Sequence, residues 1–459
     1  MKEIIIPYKG LLPDGCQTEL RAQRNSTRKV SMLQGNLVGN SRADGAGVSA
    51  RVCRNGVYGF ASEAGLSKDA AGRVLKNAAD NALFMDGRIG KGKSARPVIP
   101  YTYIDPQVRY MDTEQKEFIE FMKEVDAYIA TKEKLISRRV IIFTESRDKY
   151  LITSDGAEAS LCIPRSYVNF VLTAEGPDGT PIDIYDPQGG FGNFRDVFRD
   201  PADLFPKIDE THRKLMDKCS GVYAEAGMKT VIIGGSLGGM LAHEAVGHTV
   251  EADLVIGGSV AGKNLGKQVA SPLVSLTDFA NTAFGKQAPL PVYADDEGTP
   301  AVDAPIIKDG ILTGFLHNRE TAERFGASPC GNARAFAYND EPLIRMRNTA
   351  IHPGKDKLED MIASVDDGYY LTDTGNGQAD NTGEFMFGIT MGYEIKHGKL
   401  GRALLDTTIS GVAFEMLKTV DMVSDKVSWE DCGYCGKKQP MPVGLGGPEL
   451  RCKVMMGGR

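Results

Sequence analysis

The chain has 459 residues, a formal net charge of −6 and 25% charged residues, with no sustained Lys/Arg stripe, a balance that argues against nucleic acid as a partner. Its length exceeds a comfortable single core and predicts two domains, while the absence of any long apolar run or N-terminal leader pattern predicts a cytoplasmic protein with no membrane span. Eight scattered cysteines, with one C-x-x-C at Cys432 and Cys435, predict reduced thiols rather than a disulfide framework.

From residue 17 to residue 63, short β-prone runs alternate with Asn-Gly and glycine-rich turns and predict an antiparallel meander. Ser67 then reads as the N-cap of a helix reaching about residue 84, with Val74, Leu75, Ala78 and Ala79 at helical spacing. A second amphipathic helix is predicted over residues 113–133, where an acidic first turn suits a helix N-terminus. Residues 136–174 return to β-prone segments with Ser154-Asp155-Gly156 as a hairpin turn. The glycine-rich stretch 176–193 lacks the strand-to-helix setting of a phosphate loop and reads as a loop. A charged helix over residues 203–219 closes the first half, and the composition shift at 221–227 places the domain boundary there. The expected units are residues 1–225, an α+β domain, and residues 226–459, a β-rich domain.

The second unit opens with TVIIGGSLGGMLAHEAVGHTVEAD, residues 230–253. A β-branched run precedes a Gly-Gly-Ser break, and an apolar helix then carries His243, Glu244, His248 and Glu251. Zinc helices usually place two histidines four residues apart on one face. Here they are five apart, so on a regular helix the rings would diverge by roughly 140°. A shared metal therefore requires a π-bulge, or a kink or helix end near Gly247. Beyond the motif, strand or hairpin pieces are predicted at 291–299, 304–315, 349–352, 368–374, 385–396 and 402–411, with one helix at 356–365. The fold class expected is α+β: an N-terminal antiparallel sheet with flanking helices, then a twisted antiparallel sheet or open barrel carrying the motif helix.

Several long segments agree in order with one family. HEAVGH with Glu251-Ala252-Asp253, DDEGTP from Asp295, GILTGFLHNRETAERFG from Gly310, RMRNTAIHPG, GYYLTDTGNGQADNTGEFMFG and CGKKQPMPVGLGGPELR together resemble the TldD/PmbA family of zinc metallopeptidases. In the first half the likeness is looser, and GAGVSARVCRNGVYGFASEAGLS from Gly45 carries it best. The resemblance implies Zn2+ held by His243, His248 and Cys435, with Glu244 as general base in peptide hydrolysis. Two imidazoles and one thiolate suit a catalytic zinc site with room for water. Cys432 lacks the second ligand pair that a zinc knuckle needs, so Cys435 alone is the expected ligand. Glu251 is a candidate to orient a ligand histidine, while His317 and the Asp295, Asp296, Glu297 cluster match family segments without being assigned to catalysis.

The resemblance further implies broad cleavage of unstructured peptides, which could add to the cleft wall as an extra strand. It implies a two-subunit assembly, either a homodimer or a heterodimer with a TldE/PmbA-like subunit. The alternatives are a binding or scaffold protein whose metal only ties the C-terminal segment to the helix, and a subunit active only with a paralogous partner.

Overall fold

The computed structural model describes residues 1–90, 92, 96–105 and 113–458. Most of the β-prone runs of the first half join one seven-stranded sheet. Its order is Val57–Ala64, Asn36–Arg54, Gln17–Leu33, Leu135–Thr153 and Glu158–Glu175, and this last strand has Thr102–Ile104 beside one end and Pro181–Phe191 beside the other. Leu33 pairs with Asn36, and Arg54 with Val57, across Gln34-Gly35 and Asn55-Gly56 turns in which both residues have positive φ, matching the strand twist.

Three helices cover this sheet. Lys68–Ile89 is capped by Ser67, whose side chain accepts from the N–H of Ala70, and it lays Ala70, Val74, Leu75 and Ala78 on Leu20, Val48 and Val52. Gln115–Ile129 starts with a Glu114/Glu117 capping box and buries Phe118, Met122, Val125 and Ile129 against Val30, Met32, Val140, Ile142 and Phe170. Each large side chain buried this way contributes about 1.5–3 kcal/mol. Phe205–Cys219 completes the layer and is preceded by a 3-10 turn at Pro201–Leu204. The stretch 176–193, expected as a loop, is a loop only at its start. Pro181–Phe191 is an edge strand in register from Arg165↔Phe191 to Glu175↔Pro181, because ladder hydrogen bonding overrides the low strand propensity of its glycines.

In the second half, five strands close into a barrel: Asp367–Ala379, Gly227–Ile233, Leu450–Met456, Thr407–Val412 and Glu384–Lys396, the last pairing back on the first. One pairing, Tyr369↔Val231 to Leu371↔Ile233, is parallel, so the barrel is mixed rather than wholly antiparallel. A separate six-stranded sheet runs from Ile311–Leu312 through Ala304–Lys308, Leu276–Phe279, Asn348–Ile351 and Gly444–Gly447 to Ser428–Glu430. The motif helix lies between barrel and sheet, with Leu237, Leu241, Ala245 and Val246 in their common core. No helix among the described residues is long and apolar enough to cross a membrane.

Residues 291–299 are not the expected strand. They form a buried turn whose acidic side chains are spent on other contacts. Asp295 accepts from the N–H groups of Glu297, Thr299 and Ala333. Asp296 lies 2.8 Å from Lys149 Nζ and 3.1 Å from Arg21, and Glu297 is paired with Arg51 and Arg96. All four cations belong to the N-terminal half, so this turn bolts the two halves together. Burial would raise the Asp296 carboxyl, but Lys149 and Arg21 hold it down at about 2; burial pulls Lys149 down to about 8 despite its partner.

Candidate metal centre

Gly227–Ile233 delivers the chain into a short helix, Gly235–Met240, which packs backbone to backbone on Gly444–Gly447. A Cβ on Gly239 would stand 2.7 Å from the nitrogen of Gly446, which explains why both segments are rich in glycine. The helix then widens. Residues Leu241–Gly247 form a π-turn in which the N–H of His248 donates to the carbonyl of His243, and His248–Val250 tightens into 3-10 geometry. The extra residue per turn re-phases the helix, and the His243 and His248 rings come to 5.2 Å between centroids at 80° to each other. Gly247 is the point of closest packing, since a Cβ there would fall 2.0 Å from the sulfur of buried Met346.

Cys435 arrives from the opposite direction, on a two-residue strand paired with Met441–Pro442. Its Sγ lies 3.2 Å from His248 Nε2, and ligand atoms of His243, His248 and Cys435 all fall within 4.8 Å of one another. A tetrahedral zinc with bonds of about 2.0–2.3 Å would separate its ligand atoms by about 3.3–3.8 Å, so the trio fits the ion. His243 makes the same point by its chemistry: it is 1% exposed, yet neither ring nitrogen has a hydrogen-bond partner. Nitrogens so placed are costly unless something else takes their lone pair.

The electrostatics match. Burial would raise the Cys435 thiol, but the two imidazoles pull it down to about 3, making it a thiolate. Burial opposes charging of His248, yet Cys435 and Glu251 push it up to about 10. Glu251, fully buried, places Oε2 2.7 Å from His248 Nδ1 and so orients the ring with Nε2 towards Cys435. The Glu244 carboxylate, about one-fifth exposed, sits 4.0 Å from His243 Nε2 and 3.7 Å from His248 Nε2, beside the trio rather than within it.

The other candidates lie apart. Cys432 Sγ donates to Glu430 3.4 Å away, its thiol is raised by burial, and it takes no part in the trio. His317 is buried against Phe315 and Phe325, hydrogen-bonded to Thr321, and pushed down to about 4 by burial.

Two features escaped the sequence reading. Arg345, fully buried, donates to the carbonyls of Cys435, Lys437 and Gln439 and so fixes the backbone of the cysteine loop. From the N-terminal sheet, Arg165 and Tyr167 both donate to the carbonyl of Asp431, while Glu145 holds Arg165 and Arg147 at 3.0 Å. Arg345 stands inside the quoted RMRNTAIHPG run, where only the neighbouring arginines hinted at buried anchoring.

Residues 226–458 match the PmbA/TldA metallopeptidase C-terminal domain, residues 18–82 its domain 1, and residues 111–231 its central domain. A metalloprotease of Methanocaldococcus jannaschii is 30% identical over 96% of this chain and 97% of its own. A zinc metalloprotease TldD homolog of Saccharolobus solfataricus is 30% identical over 68% of this chain and 67% of its own. Among solved structures, TldE from Thermococcus kodakarensis superposes with a TM-score of 0.73 at 17% identity, covering 99% of both chains. A Thermotoga maritima protein described as a candidate modulator of a DNA gyrase gives 0.78 at 18% identity, covering 99% of this chain and 98% of its own.

Proposed function

The chain belongs to the PmbA/TldA metallopeptidase family, and from that premise we propose that it is a zinc-dependent peptidase acting on extended, unstructured peptides. The observation that carries this reading is the meeting of His243, His248 and Cys435 with the Glu244 carboxylate at their edge. His243, His248 and Cys435 would hold Zn2+. When bound, the ion polarises a peptide carbonyl and acidifies water.

The protein's own groups supply the rest. Glu244 is within reach of both imidazoles yet has no hydrogen bond to another described side chain. Its carboxylate is therefore free to take the proton from attacking water and return it to the leaving amine. Glu251 keeps the proton on His248 Nδ1, which leaves Nε2 as the ligating atom. Specificity would come mainly from the main chain of a peptide laid alongside a strand edge, which also excludes folded substrates. The working unit would be a two-subunit assembly, either a homodimer or a heterodimer with a TldE-like chain of the same fold.

The test is zinc content together with turnover of an unfolded peptide by the wild type and Glu244→Gln. Loss of turnover at unchanged zinc supports the assignment, and equal turnover removes Glu244 from its role.

A further inference from the structure

We propose that Lys437 is a positioning residue that latches the cysteine loop to the histidine turn; the inference rests on the metal reading above. His248 and Cys435 are separated by 187 residues and hang from unrelated elements, so their 3.2 Å approach needs something that joins those elements directly. Arg345 does not do this. Its bonds go to carbonyls within the cysteine loop, at residues 435, 437 and 439.

Lys437 does. It follows Cys435 by two residues, and its Nζ lies 2.8 and 2.7 Å from the two carboxylate oxygens of Asp253, 3.3 Å from Glu251 Oε2 and 3.2 Å from the carbonyl of Ile344. Glu251 is the carboxylate that holds His248 Nδ1, and Asp253 follows it by two residues, just past the same turn. One ammonium group thus grips the segment that orients one ligand while its own backbone carries the other. The contact is well shielded: the Lys437 side chain is 11% exposed and that of Glu251 is fully buried.

Glu251 makes the dependence sharper. Its Oε1 has no hydrogen-bond partner, so His248 and Lys437, both at Oε2, are what fix its rotamer. Remove the lysine and a buried carboxylate is left with the histidine alone, free to swing and to take the ring with it. An amide at position 437 cannot replace the ammonium: it is shorter and neutral, and its two N–H groups cannot serve the acceptors on Asp253, Glu251 and Ile344 that the ammonium reaches together. The geometry makes Lys437 part of the frame and not of the chemistry, since its Nζ contacts the carboxylates behind His248 and none of the three ligand atoms.

The experiment is competition of the full chain with a chromophoric zinc chelator at fixed pH, for wild type, Lys437→Gln and Asp253→Asn. It is paired with backbone hydrogen exchange of the zinc-free proteins over residues 431–440. Both variants are expected to lose about 10–100-fold in zinc affinity, the range for partners that hold a metal ligand in place, and to exchange faster in that loop. Asp253 is 38% exposed, so its variant keeps the test sound if Lys437→Gln folds poorly. Wild-type zinc affinity in either folded variant overturns the latch, whatever its turnover. A wild type that binds zinc tightly but hydrolyses no peptide counts against the peptidase reading and leaves the latch standing.

Discussion

The backbone N–H of His248 donates to the carbonyl of His243, five residues earlier, and this one bond turns two histidines that are out of phase on a regular helix into neighbours. The π-turn packs tightly at Gly247, where a Cβ would collide with the Met346 sulfur at 2.0 Å. Gly247→Ala is therefore expected to cost about 1–3 kcal/mol of stability by overpacking and to weaken zinc binding. Thermal unfolding and chelator competition check both effects. An alanine variant with wild-type values on each would mean that the turn is indifferent to this contact.

Glu251 is expected to matter for metal and not for proton transfer. Glu251→Ala removes the acceptor at 2.7 Å from His248 Nδ1 and frees the ring. Zinc affinity should fall about 10–100-fold, with turnover at saturating zinc much less affected. A variant that binds zinc as tightly as the wild type would show that the ring is held by packing alone.

The zinc-free pair sets a pH signature. Cys435 is held at about 3, below the 9.0 of a free thiol, so its contribution to stability is complete above 9.0 and drains as pH falls towards 3. His248 is raised from 6.5 to about 10, so its contribution is complete below 6.5 and drains as pH rises towards 10. The slopes cancel between 6.5 and 9.0. The apo chain should show a plateau in this pair's contribution there, declining on either side, in a comparison of unfolding midpoints with Cys435→Ser. Zinc held by His248 would have to displace its proton, so affinity is expected to rise about tenfold per pH unit across neutrality. A pH-independent affinity would contradict that protonation state.

The turn that joins the halves predicts a structural lesion far from the metal. Glu297 is fully buried and paired with Arg51 and Arg96. Glu19 also pairs with both guanidinium groups, so Glu297→Gln removes one of their two shared carboxylate charges and should cost about 1–3 kcal/mol, less than the roughly 3–5 kcal/mol of a buried charge left wholly unpaired. Denaturant unfolding measures it, and a loss below about 1 kcal/mol would place these charges in a wetter environment than their burial indicates.

Local chemistry made much of this legible in sequence. Asn55-Gly56 announced its hairpin, Ser67 its helix, and the five-residue spacing of His243 and His248 a break in helical geometry at Gly247. What stayed hidden depends on distant partners. Pro181–Phe191 is a strand because residues 165–175 supply its ladder, and residues 291–299 give up strand form because four cations from the other half of the chain claim their carboxylates. The same limit applied at the metal centre. The trio could be named from motif resemblance, but Arg345, Arg165 and Tyr167 act through carbonyl groups, which no side-chain pattern reveals.

The most direct measurement is peptide hydrolysis by the zinc-loaded chain, alone and mixed with a TldE-like subunit, for wild type against Glu244→Gln, with bound zinc determined in every sample. The variant is expected to keep its zinc and lose about 10²–10⁴-fold in turnover, the range for a removed general base, and chelation is expected to abolish wild-type turnover. Equal turnover by both proteins, or activity that survives complete removal of the metal, would contradict zinc-dependent hydrolysis with Glu244 as its base.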